Sequence, residues 1–292
     1  MDKPFAPLPP APRTPSVRLL DGACDAHVHL MGGPDDFPLW DGRVENPAQD
    51  IDFAQWLRMY REHLDTIGCS RSIIVHSIFY GTNNAVTLAA LEAMGPGFAG
   101  VGLLPDGAGR AEVAALAGKG VKAVRLNYVH GGVLSWDGAK AMAPLLADHG
   151  MHIQMLLHAD RHLDALAADI EALPVPLVID HLGWPSTDLS PSRPGIATAC
   201  ALMGAGHIHM KLSAPYRMAH APYTEAAPLM RVYLDAAAER CLWGSDWPHV
   251  MLNGAGMPHV AELLDQAAGL MSAAERQAVF VDTPNALFFD SP

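Results

Sequence analysis

The chain has 292 residues, half of them hydrophobic and 17% charged, with a formal net charge of −12. This composition implies a large buried core and excludes a disordered or fibrous chain. The acidic balance excludes general affinity for nucleic acid or anionic membranes, yet still allows a small anionic substrate held by local arginines.

The opening stretch, residues 1–22, is proline-rich, has no apolar core long enough for a signal peptide, and reads as an extended arm ahead of one domain over 23–292. Strand-like runs then follow in order: "ACDAHVHL" (23–30), "SIIVHSI" (72–78), "FAGVGLL" (98–104), "VKAVRLN" (121–127), "HIQMLLH" (152–158), "PLVIDHL" (176–182), "HIHMKLS" (207–213) and "CLWGSDW" (241–247). Most are almost continuously apolar, as expected of parallel strands covered on both faces. Amphipathic segments alternate with them. In the first, Phe53, Leu57, Tyr60, Leu64 and Ile67 recur at three- and four-residue steps, the stripe of a helix. In the second, Thr82 is placed to cap a helix that ends at Gly95. Further helices are expected near 110–118, 138–149, 160–172, 195–204, 223–239, 258–268 and 272–281. Eight strand–helix units predict a single-domain (β/α)8 TIM barrel. An open doubly wound sheet is disfavoured because "HLMGGP" after the first strand is not a dinucleotide fingerprint.

No run of about 18 apolar residues is present, so no membrane span is expected. Cys24, Cys69, Cys200 and Cys241 form no CxxC pair, and reduced thiols in a cytoplasmic protein are the expectation. Barrel enzymes carry their chemistry at the C-terminal ends of strands. Polar residues crowd there in this chain: His27 and His29, Ser77, Arg125 and Asn127, His158, Asp180 and His181, Lys211 and Ser213, and Asp246. His27 and His29 alternate along one run, so both project from the same face. Arg125 interrupts an apolar strand and requires a buried partner or a ligand.

The stretches "DAHVHL", "HSIFYGTNN", "GVKAVRLNYV", "IDHLGWP", "HMKLSAPYR" and "WGSDWPHV" resemble, in order and spacing, the lactonase group of the amidohydrolase superfamily, with 2-pyrone-4,6-dicarboxylate lactonases as the nearest sub-pattern. The resemblance runs from about residue 23 to "NALFF" (285–289). It implies hydrolysis of a small anionic lactone. Asp246 would be the base that activates water, and His27, His29 and His181 would hold and polarise the carbonyl. Arg125 and Arg217 match positions that hold substrate carboxylates, and Ser77 and Asn127 match polar pocket positions. The chain departs from the dicarboxylate-specific pattern where His130 and Trp184 stand in place of arginines, which implies a less charged or differently shaped substrate.

The same superfamily offers a mononuclear metal site, for which His27, His29, His158 and Asp246 are the matching set. Such a set would suit a single zinc ion, whereas the lactonases resembled here are expected to need no cofactor. Two readings stand beside lactone hydrolysis: a zinc-dependent decarboxylase of the aminocarboxymuconate-semialdehyde type, and a non-catalytic ligand-binding barrel. The substrate is the expected partner, and homo-oligomerisation is compatible with the sequence.

Overall fold

The computed structural model describes residues 3–186 and 188–290. Eight parallel strands pair in chain order: β1 (Cys24–Val28), β2 (Arg71–Val75), β3 (Phe98–Gly102), β4 (Val121–Asn127), β5 (His152–Leu156), β6 (Leu177–Ile179), β7 (Ile208–Ser213) and β8 (Cys241–Gly244). The helices are α1 (Phe53–Ile67), α2 (Ala85–Met94), α3 (Arg110–Ala117), α4 (Trp136–Ala147), α5 (Ala159–Glu171), α6 (Ile196–Gly204), α7 (Ala227–Ala237), α8 (Val260–Gly269) and α9 (Ala273–Gln277). The result is a (β/α)8 TIM barrel.

The seam between β1 and β8 closes at their C-terminal tips. Asp246 N donates to His27 O at 2.9 Å and His29 N to Trp247 O at 2.8 Å. Lower in the seam, the Asp25 carboxylate accepts from Ser245 N at 2.8 Å and Ser245 Oγ at 2.6 Å. The two strands approach so closely that a Cβ on Gly244 would lie 2.6 Å from His27 Cβ and 2.8 Å from its backbone nitrogen. Gly244→Ala is therefore expected to lose about 1–3 kcal/mol of stability by overpacking and to displace His27. Denaturant melts alongside turnover would check this, and wild-type values for both would contradict it.

Apolar side chains fill one part of the barrel interior. Ile73, Val75, Val101, Val178 and Leu242 pack with Phe288 from the C-terminal segment. Polar side chains lie farther along the strands, so the amide, ammonium and carboxylate groups gather beyond a dry plug. Outside the sheet, α1 packs through Trp56, Tyr60, Leu64 and Ile67. The Asp52 carboxylate caps it by accepting from Gln55 N at 2.7 Å.

Two local expectations change. Thr82 does not cap α2; the helix starts after Asn84, whose side-chain oxygen accepts from Leu103 N and whose amide donates to Leu103 O, both at 2.8 Å. The helix is positioned by the end of β3 instead. The strands also stop two or three residues before most of their apolar runs do. Buried loop residues at the barrel mouth extend the runs, and Ser77, His158, His181 and Asp246 sit on those loops. The arm is tied down along its length: Ala6 N donates to Asn46 O at 2.8 Å, and Ser16 N and Val17 N donate to the Asp265 carboxylate at 2.9 and 2.8 Å. Among the described residues no helix is long and apolar enough to cross a membrane.

Candidate active site

Asp246 follows β8 with a φ of 61°, a left-handed conformation that a residue other than glycine holds only when its surroundings enforce it. One carboxylate oxygen is fully clamped. Oδ2 accepts from Tyr216 OH at 2.5 Å, from Arg217 Nη2 at 2.8 Å and from Arg217 Nε at 3.2 Å. A short helical turn at Pro215–Arg217, entered through Ala214 at φ 51°, delivers both clamp residues from the end of β7. The other oxygen, Oδ1, is buried, lacks a hydrogen-bond partner, and faces His27 Nε2 at 3.6 Å and His29 Nε2 at 3.5 Å. Burial would raise the Asp246 carboxyl, but the Arg217 guanidinium and the adjoining imidazoles outweigh it and hold the group well below the usual carboxylate range.

The imidazoles differ in what their second nitrogen touches. His29 Nδ1 lies 2.8 Å from Val75 O, and a carbonyl can only accept, so Nδ1 carries hydrogen. In the neutral ring the lone pair on Nε2 then faces a carboxylate oxygen. An acceptor opposite an acceptor is stable only with a proton donor or a cation between them. His27 Nδ1 sits 3.3 Å from both Lys211 Nζ and Asp180 Oδ1, and its buried Nε2 has no partner. His181 lies in a left-handed turn (φ 56°) with Nδ1 2.9 Å from Ser213 Oγ, and its ring is 4.8 Å from that of His27. Burial lowers His181 to about 4, so it is neutral at pH 7.

Beneath these four groups runs a charged network. Lys211, fully buried on β7, donates to Gln154 Oε1 at 2.7 Å and pairs with Asp180 Oδ1 at 3.5 Å. Asp180 Oδ2 accepts from Gln154 Nε2 at 3.1 Å and meets Arg125 Nη2 at 3.3 Å. Burial pulls the Lys211 ammonium down to about 8, opposed by Asp180.

Asp246, His181, His27 and His29 are thus assembled. Arg217 belongs to the same cluster, but four of its five N–H donors are spent on Asp246 and on the carbonyls of Val250 and Met251. Ser77 is buried, with its hydroxyl accepting from Phe79 N at 3.4 Å, and Asn127 Oδ1 accepts from His130 N at 3.0 Å. His158 is outside the cluster: its Nδ1 lies 2.6 Å from Trp184 O and carries the hydrogen. Sequence reasoning missed Tyr216 and Gln154; the only signal for Tyr216 was its position beside Arg217.

The amidohydrolase family model matches residues 24–289. The chain belongs to the amidohydrolase family. It is 29% identical to a 2-pyrone-4,6-dicarboxylate hydrolase of Comamonas testosteroni, over 95% of this chain and 93% of that protein. It is 28% identical to a 4-sulfomuconolactone hydrolase of Rhizobium radiobacter, over 94% and 92% of the two chains. A solved structure from Pseudomonas putida, a candidate 2-pyrone-4,6-dicarboxylic acid hydrolase, is 27% identical and covers 94% of this chain and all of that one with a TM-score of 0.75. A zinc-bound amidohydrolase from Burkholderia multivorans, 23% identical, shares the fold with a TM-score of 0.61 over 91% of this chain and 98% of that one.

In this amidohydrolase the ligand atoms of His27, His29 and Asp246 all lie within 4.8 Å of one another. The orphaned His27 Nε2 and Asp246 Oδ1, with the His29 lone pair, fit a single divalent ion. Three protein donors leave a fourth position for water, the pattern of a catalytic zinc. Such an ion would lower the pKa of that water. The expected fourth donor, His158, is not in this set, because its ring turns to Trp184.

Arg217→Met is expected to lower kcat by about 100-fold, with KM changed less, because it frees the Asp246 carboxylate from its clamp. Arg217 holds the Asp246 carboxyl down, so its loss lets Asp246 protonate at higher pH. A variant with wild-type kcat would show that the clamp does not position Asp246.

Proposed function

We propose that the chain hydrolyses a carboxylate-bearing lactone, with Asp246 accepting the proton of the attacking water. The observation that carries this reading is the asymmetry of the Asp246 carboxylate: one oxygen is immobilised by Tyr216 and Arg217, and the other is bare and faces two imidazole nitrogens. A water donating to Asp246 Oδ1 and His29 Nε2 fills that gap and has its lone pair free for attack. Ester opening also needs donors aimed at the developing oxyanion. With Lys211 donating to His27 Nδ1 and Ser213 donating to His181 Nδ1, both rings carry hydrogen on Nε2 and serve as those donors. Collapse of the tetrahedral intermediate breaks the ring C–O bond, and the proton held on Asp246 passes to the leaving alkoxide, which returns Asp246 to its ionised form. Arg125, with Ser77 and Asn127 on the β2 and β4 sides, is left to meet the substrate carboxylate, while Arg217 positions the base. The relatives named for pyrone-dicarboxylate and sulfomuconolactone hydrolysis support this substrate class.

The carboxylate and imidazoles suffice for this route without a bound metal, and four free cysteines agree with a cytoplasmic enzyme. The test is a panel of carboxylated lactones followed by proton release at constant pH, before and after dialysis against a chelator. Turnover that survives chelation is expected. Activity lost on chelation and restored by zinc would make His27, His29 and Asp246 metal ligands. Carbon dioxide release in place of ring opening would favour the zinc-dependent decarboxylase.

A further inference from the structure

Three cations border the Asp246–histidine cluster, and their partners differ. Lys211 is fully buried and satisfied by Gln154, Asp180 and His27. Arg217 spends its Nε and Nη2 on Asp246 and both Nη groups on the carbonyls of Met251 and Val250. Arg125 has a single ion-pair contact, Nη2 to Asp180 Oδ2 at 3.3 Å, while its buried Nε has no partner. A guanidinium carries five N–H donors in a fixed fork. Left without an acceptor, buried donors are costly, and a two-pronged carboxylate answers them. Arg125 is therefore the cation of the three with the most donors to spare.

Next to the Asp246 clamp, a cavity of about 290 Å³ is lined by Trp184, Tyr216, Arg217, Met218, Leu252 and Ala255, among others. It is built by the loops after β6, β7 and β8, across the barrel from β4. An indole, a thioether and an isobutyl group give it an apolar wall. Among the described residues, the other basic groups at this wall are His220, on the rim, His158, 5.6 Å from the Trp184 ring, and His130, 5.8 Å from it and biased toward its neutral form by partial burial. A second substrate carboxylate seated there would lose water and meet Arg217, whose charge is already paired with Asp246.

We propose that the substrate is a monoanion, its one carboxylate forked by Arg125 and its uncharged remainder seated against Trp184, Met218 and Leu252. This rests on the lactone-hydrolase reading for the chemistry, but its charge argument rests on binding alone.

The test uses non-hydrolysable ring acids and the whole enzyme. Calorimetry with 2-furoate and furan-2,5-dicarboxylate is expected to show at least tenfold tighter binding of the monoacid. In Arg125→Met, 2-furoate should fall to the affinity of its uncharged methyl ester. In Trp184→Arg, the preference should shift toward the diacid. Equal or tighter binding of the diacid by the wild type, or no measurable preference, overturns the proposal. The monoacid preference with no turnover of any lactone would instead overturn the hydrolase reading and leave the charge assignment standing.

Discussion

Asp246→Asn is expected to lower turnover of the best lactone about 100- to 10,000-fold, the range in which a positioned general base contributes. The substitution is nearly isosteric, so the amide oxygen still accepts from Tyr216 and Arg217 and the seam between β1 and β8 keeps its backbone bonds. What changes is the second position: an amide N–H₂ now faces His27 Nε2 and His29 Nε2, where the carboxylate oxygen stood 3.6 and 3.5 Å away. That group donates and cannot take a proton from water. The defect should therefore appear in kcat, with KM changed far less, because Arg125 is not part of the clamp. Near-wild-type kcat with an intact circular dichroism spectrum would exclude Asp246 as the base.

The second large effect concerns acid. His63, His76 and His181 are lowered to about 4, and His152, His209 and His249 to about 3, in every case with burial as the largest cause. Their folded pKa values lie below the unfolded value near 6.5. They contribute stability that is present above about pH 6.5 and lost as pH falls toward 4, since unfolding lets each imidazole bind a proton. Asp25 acts oppositely: burial raises it to about 7, so around pH 5 it releases a proton on unfolding. Six protons taken up against one released leave a net uptake of about five near pH 5, and His27, also held down by burial, adds to it. At about 1.4 kcal/mol per proton per pH unit, stability should fall by about 7 kcal/mol per unit there. A domain's whole stability is only about 5–15 kcal/mol, so cooperative unfolding is expected within about one to two units below pH 6. Calorimetric melts across pH 5 to 7 check this directly. A midpoint that stays level over that interval would show that these rings are already protonated in the fold.

The barrel was legible because its strands are buried on both faces and so remain apolar over their whole length, interrupted by helices with a clear stripe. His27, His29, His181 and Asp246 were legible as polar tips on such runs. The partners of Asp246 were not. Tyr216 reads as core from its residue type, and only the left-handed Ala214 and the turn after it show that its hydroxyl is aimed inward. Arg217 was recognisable as a cation near the site, but its direction depends on Val250 and Met251 carbonyls over thirty residues away. The Lys211–Gln154–Asp180 network joins three strands, and a single sequence carries no record of which strand tips face one another at that depth. His158 illustrates the sensitivity of such readings: β5 ends at Leu156 and α5 begins at Ala159, so the ring belongs to the loop and turns to Trp184 O.

The claim that this barrel opens lactones with Asp246-activated water is tested most directly by one turnover in H₂¹⁸O. A carboxylated lactone mixed with excess enzyme should give the ring-opened acid with one labelled oxygen in the new carboxylate and one proton released, and Asp246→Asn should suppress both. Product without label, or carbon dioxide in place of ring-opened acid, would contradict the account.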